Sequence, residues 1–336
     1  MTALAALGDG VRRVGRAPAI LAGVWVVSAL FSLPLALALR TMIEQHLGPS
    51  LAAHTALSSV NYQWWQEFSD QATGLGATFR PTIIGFGAVV DNLSTFVEDQ
   101  SRPAVIVGAA CAYMASWLFL AGGIIDRYAR DRATRSYGFF AASGVFFFRF
   151  LRLALVMWGA YCLLFFVVQP WLFGSAVYGR LTRELTVERT AFLIALGLYI
   201  VFGIVLAACN LVFDYAKVRA VVEDRRSMLG AVVAAIGFIR RNAAAASLLY
   251  AVDFALFAAA LGIYALIAPG AGGGGASVWF GLAIGQLYVL ARLWVKLVFW
   301  ASETALFQGR LAHAGYVAAP ARVWPDSPTA EAIQRP

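Results

Sequence analysis

Three ionisable residues sit where a lipid bilayer makes charge expensive. Asp253 lies in an apolar run over 244–268, and Arg292 and Lys296 lie in another over 278–302. A charge at bilayer depth costs at least ~2.5–3.5 kcal/mol, so such residues face a bundle interior, a partner or a ligand path. Arg292 and Lys296 are four apart and share a helical face, so one carboxylate on a neighbouring helix would serve both. At ~1.5 Å per residue, all three lie roughly 10–17 Å from the boundary near Glu303. The plain reading is a structural ion pair between Asp253 and Arg292 or Lys296. The sharper reading is an ion, proton or lipid-headgroup site, because two cations against one carboxylate leave a positive surplus suited to an anionic headgroup or solute.

Asp126, Asp214 and Glu303 sit at comparable ends of the apolar runs 103–125, 190–213 and 278–302. Each reads as a boundary carboxylate beside arginines, or together as an acidic cluster if the helix ends converge. Other chemistry is thin. His46, His54 and His313 are dispersed outside the apolar runs, and Cys111, Cys162 and Cys209 fall inside them without zinc spacing. Gly272–Gly275 has no following lysine to hold a phosphate and reads as a flexible turn. No nucleophile elbow or metalloprotease helix is visible. No catalytic residue, metal or cofactor is therefore assigned; acid–base chemistry at Asp253 is the one enzymatic option left open.

The elements that must position these residues follow from composition. Of 336 residues 61% are hydrophobic and 13% charged, with a mean hydropathy of +0.73. A soluble domain is about half apolar and a quarter charged. A span needs about 20 apolar residues, and six stretches qualify: 18–39, 103–125, 152–174, 190–213, 244–268 and 278–302. The first competes with a cleaved signal peptide ending at Ala36-Leu37-Ala38, but its apolar run is too long for a signal core. Charge then orients the bundle. Arg12, Arg13 and Arg16 precede the first span, and arginine-rich links follow the second and fourth, whereas 40–102 carries three arginines against six acids. Short basic loops resist translocation. Both termini are thus cytoplasmic, and 40–102 is periplasmic. Within it, Asn61-Tyr62-Gln63-Trp64-Trp65 and the run Ile83 to Phe96 read as one or two helices on that face, or as a ligand lid. The proline-rich tail 311–336 reads as disordered.

An internal repeat runs through the middle. Ile124-Ile125-Asp126-Arg127-Tyr128-Ala129-Arg130 echoes Val212-Phe213-Asp214-Tyr215-Ala216-Lys217. Each is followed by a polar turn and a short apolar stretch, Gly138–Phe148 and Gly230–Ile239, ending in Arg149 with Arg152 and in Arg240 with Arg241. Too short to cross, these stretches read as interfacial helices whose arginines snorkel to lipid headgroups. The alternative is that each simply extends the following span. Small residues at Gly108, Ala112 and Ser116, at Ala251, Ala255 and Ala259, and at Gly281 and Gly285 mark close helix packing.

The run Asp-Tyr-Ala-Lys-Val-Arg-Ala-Val-Val-Glu-Asp-Arg-Arg-Ser (214–227), then Gly-Phe-Ile-Arg-Arg-Asn (237–242), resembles poorly characterised bacterial multi-pass membrane proteins. The layout over about 103–310 is similar to the membrane domain found beside some glycerophosphodiester phosphodiesterases. No soluble phosphodiesterase domain and no counterpart of that family's catalytic residues is present. The resemblance implies a six-helix module of unassigned function.

The combined reading is an all-α polytopic membrane protein with six transmembrane helices, two cytoplasmic-face interfacial helices and a pseudo-repeat: a single domain over 1–310 and a tail over 311–336. It places the chain in a bacterial inner membrane, as a module without catalytic activity that acts through lipids, a partner membrane protein or a second copy of itself. The alternative is a small permease or lipid transporter using Asp253, Arg292 and Lys296. Nucleic acid is not an expected partner, since no basic stripe interleaved with exposed aromatics occurs.

Overall fold

A computed structural model describes residues 1–56, 61–80, 103–268 and 275–310. The run Ile83 to Phe96, His313, the tail 311–336 and all but the last residue of the Gly272–Gly275 turn lie outside that range. The described residues are mostly helical, with short turns between helices and no strand among them. In chain order the helices are α1 (Ala3–Gly15), α2 (Pro18–Leu47), α3 (Ala53–Ala56), α4 (Tyr62–Gln71), α5 (Ala104–Arg130), α6 (Ser136–Leu163), α7 (Gln169–Phe173), α8 (Tyr178–Thr182), α9 (Glu188–Val222), α10 (Met228–Arg241), α11 (Ala243–Ile267) and α12 (Ala276–Arg310).

Six of these segments are long and apolar enough to cross a membrane: α2, α5, the Ser136–Thr182 stretch, α9, α11 and α12. In lipid every backbone N–H and C=O must be satisfied within its own segment, and a helix does that. Pro34 lies inside α2 without ending it. The all-α polytopic fold is the one composition demands.

The chain separates into two compact units. The first holds Met1–Arg13, Leu118–Tyr250 and the segment from Trp300 onward; the second holds Val14–Trp117 and Ala251–Phe299. In the first, Ile124, Ile125, Tyr128, Phe150, Leu153, Tyr215, Phe238, Leu249, Leu306 and Phe307 are all buried almost completely. Tyr215, Phe238 and Phe307 form a ring ladder with centroids 5.0 Å apart at each step. A separate patch around Leu164, Leu172 and Phe202 packs the π-helical turn Leu164–Val168 against α9. In the second unit, α4 opens on Asn61, whose side chain accepts the Trp64 N–H. It buries Trp64 and Phe68 against His46 of α2. Trp64 is therefore a packing residue, while Tyr62 is exposed.

The two short apolar stretches behave differently. Gly230–Ile239 lies in a separate helix, α10, stopped at Asn242, whose amide donates to the Phe238 carbonyl (3.1 Å). Gly138–Phe148 is not separate; it is the opening of α6, which runs unbroken to Leu163. Phe148-Arg149-Phe150-Leu151-Arg152 contains no glycine, proline or asparagine to interrupt the backbone hydrogen-bond ladder. One interfacial helix of the expected pair is thus an extension of its span.

Arg149 also departs from expectation. Its guanidinium does not reach outward but binds Asp224 (2.5 Å) and caps Phe146 at 5.1 Å. Arg152, Arg240 and Arg241 are exposed, as snorkelling residues should be.

Asp131 and Asp224 follow α5 and α9 in the left-handed region, at φ 43° and 48°, a conformation that aspartate tolerates better than most side chains. Beside Asp224, Glu223 accepts from Arg219 (2.8 Å) and also from Arg225. Burial opposes ionisation of Glu223, but the two guanidiniums outweigh it and hold the carboxyl below its usual range. A carboxyl with a lowered folded-state pKa stabilises the fold above its unfolded value, and that contribution vanishes as pH falls through the folded value. Glu223→Gln is therefore expected to melt lower than wild type at neutral pH. The gap should narrow as pH falls below the ordinary glutamate range and close once it passes the lowered folded value, as read by thermal unfolding in detergent across an acid titration.

Candidate functional site

The second unit holds the three charges singled out by sequence. Asp253, on α11, is completely buried. Lys296 is exposed, and its ammonium stands 3.5 Å from the centroid of the Trp117 ring. That is close for a cation–π contact, worth about 2 kcal/mol when desolvated. Arg292, one turn earlier on α12, is also exposed and makes no ion pair or hydrogen bond within the described residues. A salt bridge from Asp253 to Arg292 is thus not formed. Asp253 is sealed from solvent while Arg292 is exposed, and Asp253 and Lys296 each have a partner within the protein.

Aromatic and amide groups that the charge pattern did not flag surround this region of the same unit. Trp117 lies edge-on to Tyr113, with centroids 6.2 Å apart. The Tyr113 hydroxyl contacts the Ser28 hydroxyl of α2 (3.0 Å). Trp25 donates its indole N–H to Gln286 of α12 (3.0 Å). Tyr264 and Tyr288 stack at 4.2 Å. The one signal that pointed here was spacing, since Tyr113 and Trp117, like Trp25 and Ser28, fall on common helical faces.

The first unit holds the other carboxylates. Asp126 is tied to Arg130 (2.8 Å). Asp214 binds Lys217 (2.7 Å), whose ammonium lies 5.8 Å from the Trp300 ring centroid. Tyr250 is within electrostatic reach of Asp214, Glu303 and Tyr161. Tyr161 in turn donates to Asn210 (2.5 Å). Glu303 is almost wholly buried between Ser302 and Thr304, themselves sealed from solvent. Asp214 and Glu303 thus converge on one tyrosine, while Asp126 is engaged by its own arginine. With a lysine and two tyrosines in the group, this is a packed polar network that fixes helix positions rather than an open acidic cleft.

Sequence reasoning missed the N-terminal helix. Arg12 and Arg13 read as topology markers, yet α1 lays Ala3, Ala6 and Arg13 into the first unit. The spacing Ala3, Ala6, Gly10, Arg13 is a helical stripe of mostly small residues and was legible.

Among the described residues no group of three or more His, Cys, Asp or Glu side chains is placed to hold a metal ion. Comparison with protein-family models, curated proteins and solved structures returns no match.

Proposed function

We propose that this integral membrane protein is a non-catalytic module that works through the outer surfaces of its spans, engaging lipids, a partner membrane protein or a second copy of itself. The single observation that carries the reading is where burial is missing. In the most apolar 18-residue window of each span, only 6–28% of residues are buried within the protein. Those side chains are covered by something else. Lipid supplies no hydrophobic drive between helices, so such faces are equally open to acyl chains and to partner helices.

The placement of arginines supports a bacterial inner-membrane location with both termini cytoplasmic. The layout resemblance to the membrane domain beside some glycerophosphodiester phosphodiesterases points to the same kind of module. A repeat underlies it: Ser143 and Ala231, Phe150 and Phe238, and Arg152 and Arg240 are each 88 residues apart and match in burial or exposure. The second reading, a permease or lipid transporter, draws on the exposed cations of α12. Against it, α2, α5, α9, α11 and α12 are continuous helices, whereas transporter sites often break a span at mid-depth.

The test is gentle extraction of the full chain, followed by mass spectrometry of what travels with it. Stoichiometric lipid, partner or self-association is the expected result. A lone monomer carrying none of these overturns the reading.

A further inference from the structure

The outer face of α10 carries Leu229, Val233, Ile236 and Arg240, all exposed. At 3.6 residues per turn these four fall within an arc of about 60°, one stripe along the helix. Arg226, exposed in the link just ahead of the helix, stands three residues before Leu229, so an arginine closes each end of the stripe. From Met228 to Ile239 no side chain is polar or charged. The opposite face is held by its own unit: Met228, Ala231, Ala235 and Phe238 are buried, and the Arg219 guanidinium donates to the Ala234 carbonyl. With Phe238 packed on Tyr215 and Phe307, the exposed stripe cannot turn inward.

The 14 residues of α10 span ~21 Å, short of the ~30 Å bilayer core. Only Asn242 separates the helix from α11, one of the six candidate spans. The end of α10 therefore lies at the boundary where α11 enters the bilayer. The same stripe occurs 88 residues earlier on the opening of α6, where Ala141, Val145, Phe148 and Arg152 are all exposed. Among the described residues Arg226 and Arg240 form no ion pair and no hydrogen bond. Aliphatic side chains with no polar rim make a poor surface for a soluble protein. A bilayer surface offers acyl chains to the middle of the stripe and phosphates to both ends.

We propose that α10 lies in the leaflet from which α11 departs, with Leu229, Val233 and Ile236 among the acyl chains and Arg226 and Arg240 on the phosphates of anionic phospholipids. This rests on the reading that the outer surfaces of the protein meet lipid, and it names the lipid class and the residues.

The test places a fluorophore on Val233→Cys in the full chain, with Cys111, Cys162 and Cys209 replaced by alanine, in vesicles of phosphatidylglycerol and phosphatidylcholine. Nitroxide-labelled lipid is expected to quench the fluorophore and aqueous acrylamide is not. Nitroxide carried on phosphatidylglycerol should quench more than nitroxide on phosphatidylcholine, reflecting a local enrichment of about fivefold per arginine. Arg226→Gln together with Arg240→Gln should erase that headgroup preference and leave lipid access intact. Both side chains are exposed and unpaired among the described residues, so the double variant should melt as its parent does. Quenching by acrylamide, quenching by neither reagent (a partner or a second copy covering the stripe), equal quenching by the two lipids, or a preference that survives the double variant would each overturn the proposal. A second label on Ile263→Cys, at an exposed position of α11, separates the two readings. Lipid at Ile263 with water at Val233 defeats this inference alone; water at both positions defeats the module reading as well.

Discussion

Gly123→Val is expected to yield a protein that no longer holds α5 against α6. A Cβ at Gly123 would lie 2.7 Å from the Phe139 carbonyl oxygen and 3.0 Å from the Phe139 ring, and would also strike the Ser143 hydroxyl. Its neighbour Gly122 is as tight, with a Cβ there 2.7 Å from the Phe146 Cβ. The Ser143 hydroxyl and the Phe139 ring can rotate away, but the Phe139 carbonyl oxygen and the Phe146 Cβ cannot, so a rotamer change does not relieve the clash. Real Cβ contacts are not made at such distances; the helices must separate. Overpacking typically costs about 1–3 kcal/mol, and valine here, adding two methyl groups beyond the clashing Cβ, should reach about 3 kcal/mol or more. The measurement is thermal unfolding in detergent, followed by loss of the monodisperse species. Gly144→Val is the control, because nothing lies within 4 Å of its added Cβ, and it should shift stability by less than about 0.5 kcal/mol. If Gly123→Val melts with wild type, the close approach of α5 and α6 is wrong.

Arg13→Ala should be the most damaging charge removal. One amino group of Arg13 donates to the Tyr128 carbonyl at the end of α5 (2.7 Å) and to the Gln308 side chain (2.8 Å). Its Nε donates to Asp9 (2.9 Å). Gln308 then donates to the Ala129 carbonyl (2.9 Å). The last carbonyls of a helix have no partner within it, and at α5 this chain of donors supplies them. Truncation strands the Tyr128 carbonyl and leaves the Asp9 carboxylate with its Arg12 pair alone. Hydrogen bonds to charged groups are worth about 1.5–3 kcal/mol each and do not add fully, so a loss of about 2–4 kcal/mol is expected. Hydrogen exchange across residues 3–15 should rise toward that of a free helix. Arg13→Lys should recover only part, since one ammonium cannot reproduce the fork. Arg12→Ala should be near neutral, because the Arg12 side chain is 57% exposed and its pair with Asp9 is solvated. Exchange in Arg13→Ala equal to wild type would show that α1 is held by its small-residue face alone.

Much of the fold was readable in advance because lipid imposes a local rule. A backbone with no water to bond must form helices, and apolar length marks each one. The ends were less readable. α9 runs past the apolar stretch to Val222 and α12 runs to Arg310, where the sequence turns polar. There Asp214, Lys217, Arg219 and Glu223 pair locally and leave Ala216, Val218 and Ala220–Val222 buried. A polar stretch that satisfies its own charges at i,i+3 and i,i+4 is indistinguishable by hydropathy from a loop.

The candidate site divides the same way. Residue type and spacing alone established that Asp253, Arg292 and Lys296 are costly charges within spans, and that the two cations share a face. Which way that face turns belongs to the tertiary structure, because a helix is free to rotate about its axis until side-chain packing stops it. Packing put Asp253 inside, left Arg292 outside and set Lys296 on Trp117, 179 positions away in the chain. Arg149 met Asp224 for the same reason. Periodicity is a property of one helix, but a contact between distant helices depends on both rotations at once, and no local pattern encodes it.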